Sequence, residues 1–114
     1  MAITPIELVN KQLTTTATDV PFVSQTGTRT RITAASIINT EAATNYTATI
    51  YKIPSGDTAA AANTIINART VVGGETYPCP ELIGQILEPG DKLQGIASTT
   101  LKLNFIVSGV EITA

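Results

Sequence analysis

Apolar and polar positions alternate most cleanly near the end of the chain. Leu101, Leu103, Phe105 and Val107 alternate with Lys102, Asn104 and Ser108, the period-two spacing of a strand with one face buried. Past Ser108-Gly109 the apolar positions shift by one, to Val110 and Ile112, as either a β-bulge at the glycine or a strand end facing a neighbour on both sides would produce. Residues 28–39, "TRTRITAASIIN", read as a second strand, with Ile32, Ala34, Ser36 and Ile38 on one face and Arg29, Arg31, Thr33 and Ala35 on the other. In residues 45–53, Tyr46, Ala48 and Ile50 oppose Thr47, Thr49 and Tyr51, and the short polar link "NTEAAT" predicts a hairpin with the preceding strand.

Weaker runs fill the rest. "ITPIELV" at 3–9 reads as an extended arm, confined by Pro5 to an edge or a position outside the sheet. Leu13, Val20, Phe22 and Val23 suggest two short strands before a turn at Gln25-Thr26-Gly27. "NTIINA" (63–68) and "ETYPCP" (75–80) follow, the latter ended or pushed to an edge by Pro78 and Pro80. After a turn at Pro89-Gly90-Asp91, Leu93, Gly95 and Ala97 face one way and Lys92, Gln94 and Ile96 the other. Seven or eight short strands with turn signals about every ten residues imply an all-β, antiparallel β-sandwich or jelly-roll-like fold with little or no helix. The expected organisation is an extended N-terminal arm over residues 1–12 and one β-sandwich domain over 13–114.

Between two of these strands stands "PSGDTAAAANT", with Ala59 to Ala62 where a polar loop tip would be expected. Four alanines favour helix but are too few to nucleate one alone. The alternatives are a single helical turn capped by Asp57 or Thr58, an undemanding exposed loop, or a surface kept small because something lies against it. The third predicts contact through Ser55, Asp57, Ala60, Ala61 and Asn63.

Composition sharpens this. Only 14% of the 114 residues are charged and the net charge is −2, against about 25% charged in ordinary soluble domains, so either solubility rests on hydroxyls and amides or much of the surface is covered by partners. About twenty threonines and many isoleucines favour strands through β-branching. The few cations form no basic stripe, which argues against nucleic acid as a partner. No apolar run approaches a membrane span, and "MAITPIELVNKQL" lacks the charged and apolar regions of a secretory signal.

Candidate chemistry is sparse. The sequence holds no histidine, the commonest general base and metal ligand. Cys79, its single cysteine, lies between two prolines without a basic neighbour and reads as a small apolar residue. Asp57, Glu75, Glu88 and Asp91 sit in turns, where carboxylates accept local backbone N–H groups. No catalytic set, cofactor, metal site or small-molecule substrate is therefore expected. Tyr46, Tyr51 and Tyr77 are the candidate stacking platforms for a sugar, with packing beside the sheet the alternative. Exposed contact is expected instead along the arm, at Ile3, Ile6 and Leu8, and at Arg29 and Arg31, which serve either to bind an acidic partner or to discourage stray edge pairing.

"IINTEAATNYTATIYKIPSGDTAAAANTII", "ETY", "ILEPGDKLQGIAS" and "FIVSGVEI", in that order and spacing over about residues 30–113, resemble small virion structural proteins of tailed bacteriophages. The resemblance implies a non-enzymatic head decoration (cement) protein. Such a protein is made in the host cytoplasm and seated on the capsid exterior, often as a homotrimer, with the major capsid protein as partner. The alternative it implies is a tail, baseplate or fibre subunit touching the host surface or a glycan.

Overall fold

A computed structural model describes residues 2–19 and 21–113; Val20, expected in a short strand, lies outside them. The chain is all-β, and its β-branched runs form two antiparallel sheets. The strands are β1 (Ala2–Gln12), β2 (Phe22–Val23), β3 (Thr28–Asn39), β4 (Tyr46–Ile53), β5 (Thr64–Val71), β6 (Thr76–Tyr77), β7 (Ile86–Leu87), β8 (Lys92–Ala97) and β9 (Leu103–Thr113). The first sheet runs β1-β9-β3-β6, with β7 also on β3; the second runs β2-β8-β4-β5. Helical structure among the described residues is confined to two 3₁₀ turns, Ala17–Asp19 and Ala61–Asn63.

The inner faces meet in one apolar cluster that includes Leu13, Ile32, Ile37, Ile50, Leu93, Leu103, Phe105 and Val107, each at most 1% exposed. Each such side chain contributes about 1.5–3 kcal/mol relative to leaving it in water. Leu93, Gly95 and Ala97 are buried as the alternation predicted for β8 requires, and Gln94 on the opposite face is buried as well. Tyr77, on the edge strand β6, carries the Arg69 guanidinium of the other sheet's edge strand 4.3 Å above its ring, a cation–π contact that ties the two sheets together at one side.

Four sequence expectations change. The arm is not separate: from Ala2 on it is the edge strand β1, paired with β9 along its length. Leu8 and Val9 are both buried in the core, so Leu8 is not a contact residue. The predicted hairpin of 28–39 with 45–53 does not form, since β3 and β4 belong to different sheets and the link between them crosses the sandwich. The parity of β3 reverses midway: Thr28, Thr30 and Ile32 are buried, then Ala35, Ile37 and Asn39, with Ala34 exposed. A bulge at Thr33 causes this, because Ile32 pairs with Gly109 and Ala34 with Ser108.

Finally, the bulge that was one reading of β9 lies instead in both its neighbours. β9 is continuous, while Leu8 in β1 and Thr33 in β3 are the extra residues on either side of Val107–Gly109. Both flanking strands bend at one level, and the Arg31 carbonyl comes in against the Cα of Gly109. Val110 and Ile112 therefore stay in phase with Ile106 on the outer side of the sheet.

Candidate functional site

The beginnings of β1, β3 and β8, the end of β9 and the loop after β4 share one end of the sandwich, as their registers require. A relay of polar contacts fixes this end. Arg29 Nε donates to Glu88 Oε2 at 2.9 Å. The Asp91 carboxylate accepts the Glu88 N–H at 3.0 Å and the Ser55 N–H at 3.1 Å, so one side chain staples two loops. Lys92 Nζ donates to the Asp57 carbonyl at 2.7 Å, and the backbones of Ser24 and Asp91 are joined at 2.9 Å. Of the carboxylates expected to hold turn N–H groups, Asp91 does so, as does Glu75 on Val72 at 2.8 Å. Glu88 pairs with Arg29 instead.

The alanine loop is ordered by its own side chains. Asn63 Nδ2 donates to the Thr58 carbonyl at 2.7 Å, and Thr64 Oγ1 to the Ala60 carbonyl at 3.3 Å. The helical turn lies later than expected, at Ala61–Asn63, with Ala60 at its start and no side-chain cap, so neither Asp57 nor Thr58 caps it. This turn packs on β4, where Ile53 is fully buried although outside the main apolar cluster. Ala60, Ala61 and Ala62 remain exposed. With Gly56, Asp57, Thr58 and Asn63, the loop encloses an open concavity of about 370 Å³.

The second surface is the outer face of the first sheet, where register brings together residues far apart in sequence. One cross-strand row is Ile3–Ile112–Arg29, the next Pro5–Val110–Arg31–Ile86, and beyond them lie Glu7 beside Ser108 and Asn10 beside Ile106. Of the contact residues expected from sequence, Ile3, Arg29 and Arg31 meet here. Ile6, opposite Gly109, packs partly on the core. Ile3 is 60% exposed, Ile86 42% and Ile106 38%. An open groove of about 510 Å³ follows the two bulges, lined by Pro5, Glu7, Thr33, Ile106, Ser108 and Val110 among others. The periodicity of any single strand does not reveal this face. The one local signal is the buried doublet Leu8-Val9 between polar Glu7 and Asn10, which marks a bulge.

A third cluster surrounds Tyr77, whose hydroxyl donates to Glu81 at 2.5 and 2.7 Å. Its ring is buried, so it offers no platform to a sugar. Burial, then the Glu81 carboxylate, push the Tyr77 phenol up to about 12. Burial, then Glu81, likewise push the Cys79 thiol up to about 12. Among the described residues, no three of Cys, Asp and Glu gather as metal ligands.

The folded chain thus holds both protons to about pH 12, whereas ordinary thiols and phenols release them near 9.0 and 10.0. Stability from these groups is complete below pH 9 and is lost as pH rises toward 12. The loss is on the order of 3–4 kcal/mol for Cys79 alone, at about 1.4 kcal/mol per pH unit. Urea midpoints are expected to fall continuously from pH 9 to 12, and Cys79→Ala to flatten much of that slope; a midpoint constant across this range would refute the assignment.

The chain matches no family model, and no curated protein or solved structure is significantly similar to it.

Proposed function

We propose that this chain is a non-enzymatic structural protein of a tailed-bacteriophage virion, a decoration protein that binds the outside of the capsid and holds neighbouring major capsid subunits together. The observation that carries this proposal is the alanine loop: an exposed, nearly uncharged surface, fixed in place by Asn63, Thr64 and Asp91 before any partner arrives. Such a surface has little charge to desolvate and little conformational freedom to lose on binding. The sequence resemblance over residues 30–113 supports the same reading, as does the low charge content. Binding the assembled shell, and not its separated subunits, stabilises the shell by mass action.

The decisive measurement is the copy number of this chain relative to the major capsid protein in purified particles. Comparable numbers are expected; a handful of copies would remove the decoration role and move the chain to the tail. Within the decoration role, Ala60→Arg and Ala61→Arg, both on exposed positions, are expected to weaken capsid binding at least tenfold while leaving the melting temperature within a few degrees. Unchanged binding by both variants would exclude the loop as the contact.

A further inference from the structure

The outer face of the first sheet has a charge on each flank of an apolar strip. Ile106, Val110 and Ile112 lie along the middle strand β9, interrupted by Ser108, with Glu7 on β1 to one side and Arg31 on β3 to the other. Glu7 and Arg31 are both exposed, and neither makes an ion pair or side-chain hydrogen bond among the described residues. Arg29, by contrast, is paired with Glu88.

We infer that this face binds a second copy of the chain, face to face about a two-fold axis running along β9. That operation lays β1 of each copy over β3 of the other and stacks the two β9 strands, the apolar strip of one on the strip of its partner. It also brings Arg31 of each copy to the flank that holds Glu7 of the other. The two residues stand one same-face step apart along the strands, about 7 Å, across sheets about 10 Å apart, within reach of an arginine. A single face with opposite charges on its two flanks is self-complementary, as a two-fold interface requires, and the near-parallel strands match aligned sheet packing.

The face is also large enough. Strands of 11 and 12 residues are roughly 37–41 Å long, and the three that overlap, β1, β9 and β3, spaced about 4.8 Å apart, give roughly 530–590 Å² per copy. Two copies therefore bury roughly 1,100–1,200 Å², at the lower edge of the 1,200–2,000 Å² typical of stable interfaces. The two-fold pair replaces the three-fold association that the phage resemblance implies, and it concerns the isolated chain rather than its binding to a capsid.

Sedimentation equilibrium of the purified full chain between about 1 and 100 μM tests it. A dimer is expected. Arg31→Glu and Glu7→Arg are each expected to weaken it about 100-fold, since each creates two like-charge contacts per dimer. The double variant, with both charges exchanged, is expected to recover most of the affinity. Circular dichroism should match the unaltered chain in all three, because both positions are exposed, and melting of the single variants should fall only as far as the lost dimer requires. A monomer at 100 μM, a trimer, or a dimer indifferent to both single reversals would each overturn the inference. Failure here leaves the particle copy number untouched, so the two proposals stand or fall separately.

Discussion

Replacing Asn39 by alanine is expected to lower the unfolding free energy by about 3–5 kcal/mol, enough to drop the melting temperature by more than 10 °C. Asn39 ends β3 at the point where the chain leaves one sheet for the other, and it is 1% exposed. Its Nδ2 donates to the carbonyls of Thr44 at 2.8 Å and Val71 at 3.0 Å, and its Oδ1 accepts the Glu41 N–H at 3.0 Å. Its backbone is bonded as well, N–H to the Glu75 carbonyl at 2.9 Å and carbonyl to the Gly74 N–H at 3.0 Å. One residue thus joins the end of β3, the crossing link, β5 and the turn before β6. Alanine would leave the buried Val71 carbonyl without a donor, which costs more than the lost bond itself.

Asn39→Asp separates this account from simple packing loss. The shapes are nearly equal, but an ionised aspartate presents acceptors to the Thr44 and Val71 carbonyls. It is expected to be at least as destabilising as alanine at pH 7 and to recover partly at acid pH, where a protonated carboxyl donates again. Urea titration at the two pH values decides the matter. A loss below about 1 kcal/mol for alanine, or no pH dependence for aspartate, would show that the crossing does not depend on this side chain.

Asn39 also explains why the chain's pairing was less legible than its strands. Strand positions follow from alternation and turn residues, both local properties, and β4, β8 and β9 fall close to where the sequence puts them. Which strands pair depends on where each link goes. "NTEAAT" is short enough for a hairpin, yet Asn39 bonds across to Val71 and directs the chain over the sandwich. Bulges are hidden for a similar reason. "TRTRITAASIIN" carries apolar residues on both parities, and only pairing with β9 shows that Thr33 is the extra one. Pro5 identified an edge correctly, but the burial of Leu8 and Val9 is what makes residues 2–12 part of the sandwich.

The candidate surfaces divide along the same line. The alanine loop is contiguous, so its lack of charge is visible in sequence, although the side chains that order it are not. The outer face draws Ile3, Arg31 and Val110 from three strands, and no window of sequence contains it. Arg29 and Arg31 were visible as an exposed pair, but Arg29 is occupied by Glu88 from a turn 59 residues away.

Gly109→Ala is expected to be the most damaging single methyl group in the molecule, at about 3 kcal/mol or more. A Cβ there would overlap the Arg31 carbonyl oxygen and press on the Arg31 carbonyl carbon at 3.1 Å and the Ile32 Cα at 3.3 Å. All three are backbone atoms of β3, so no change of rotamer relieves them; β3 and β9 must separate where the bulges at Leu8 and Thr33 have drawn them close. Gly95→Ala is the natural comparison. It is also buried, but its Cβ would meet Ile50 Cδ1 at 2.7 Å and Leu13 Cδ2 at 3.0 Å, the ends of side chains that can swing aside, for about 1–2 kcal/mol. Urea denaturation should rank the pair with Gly109→Ala clearly worse. Amide exchange should show faster opening of the β3–β9 ladder around Gly109 in that variant and not in Gly95→Ala. Equal losses would mean that β3 yields as easily as a side chain, and the close approach of its backbone would then not be what requires glycine at this position.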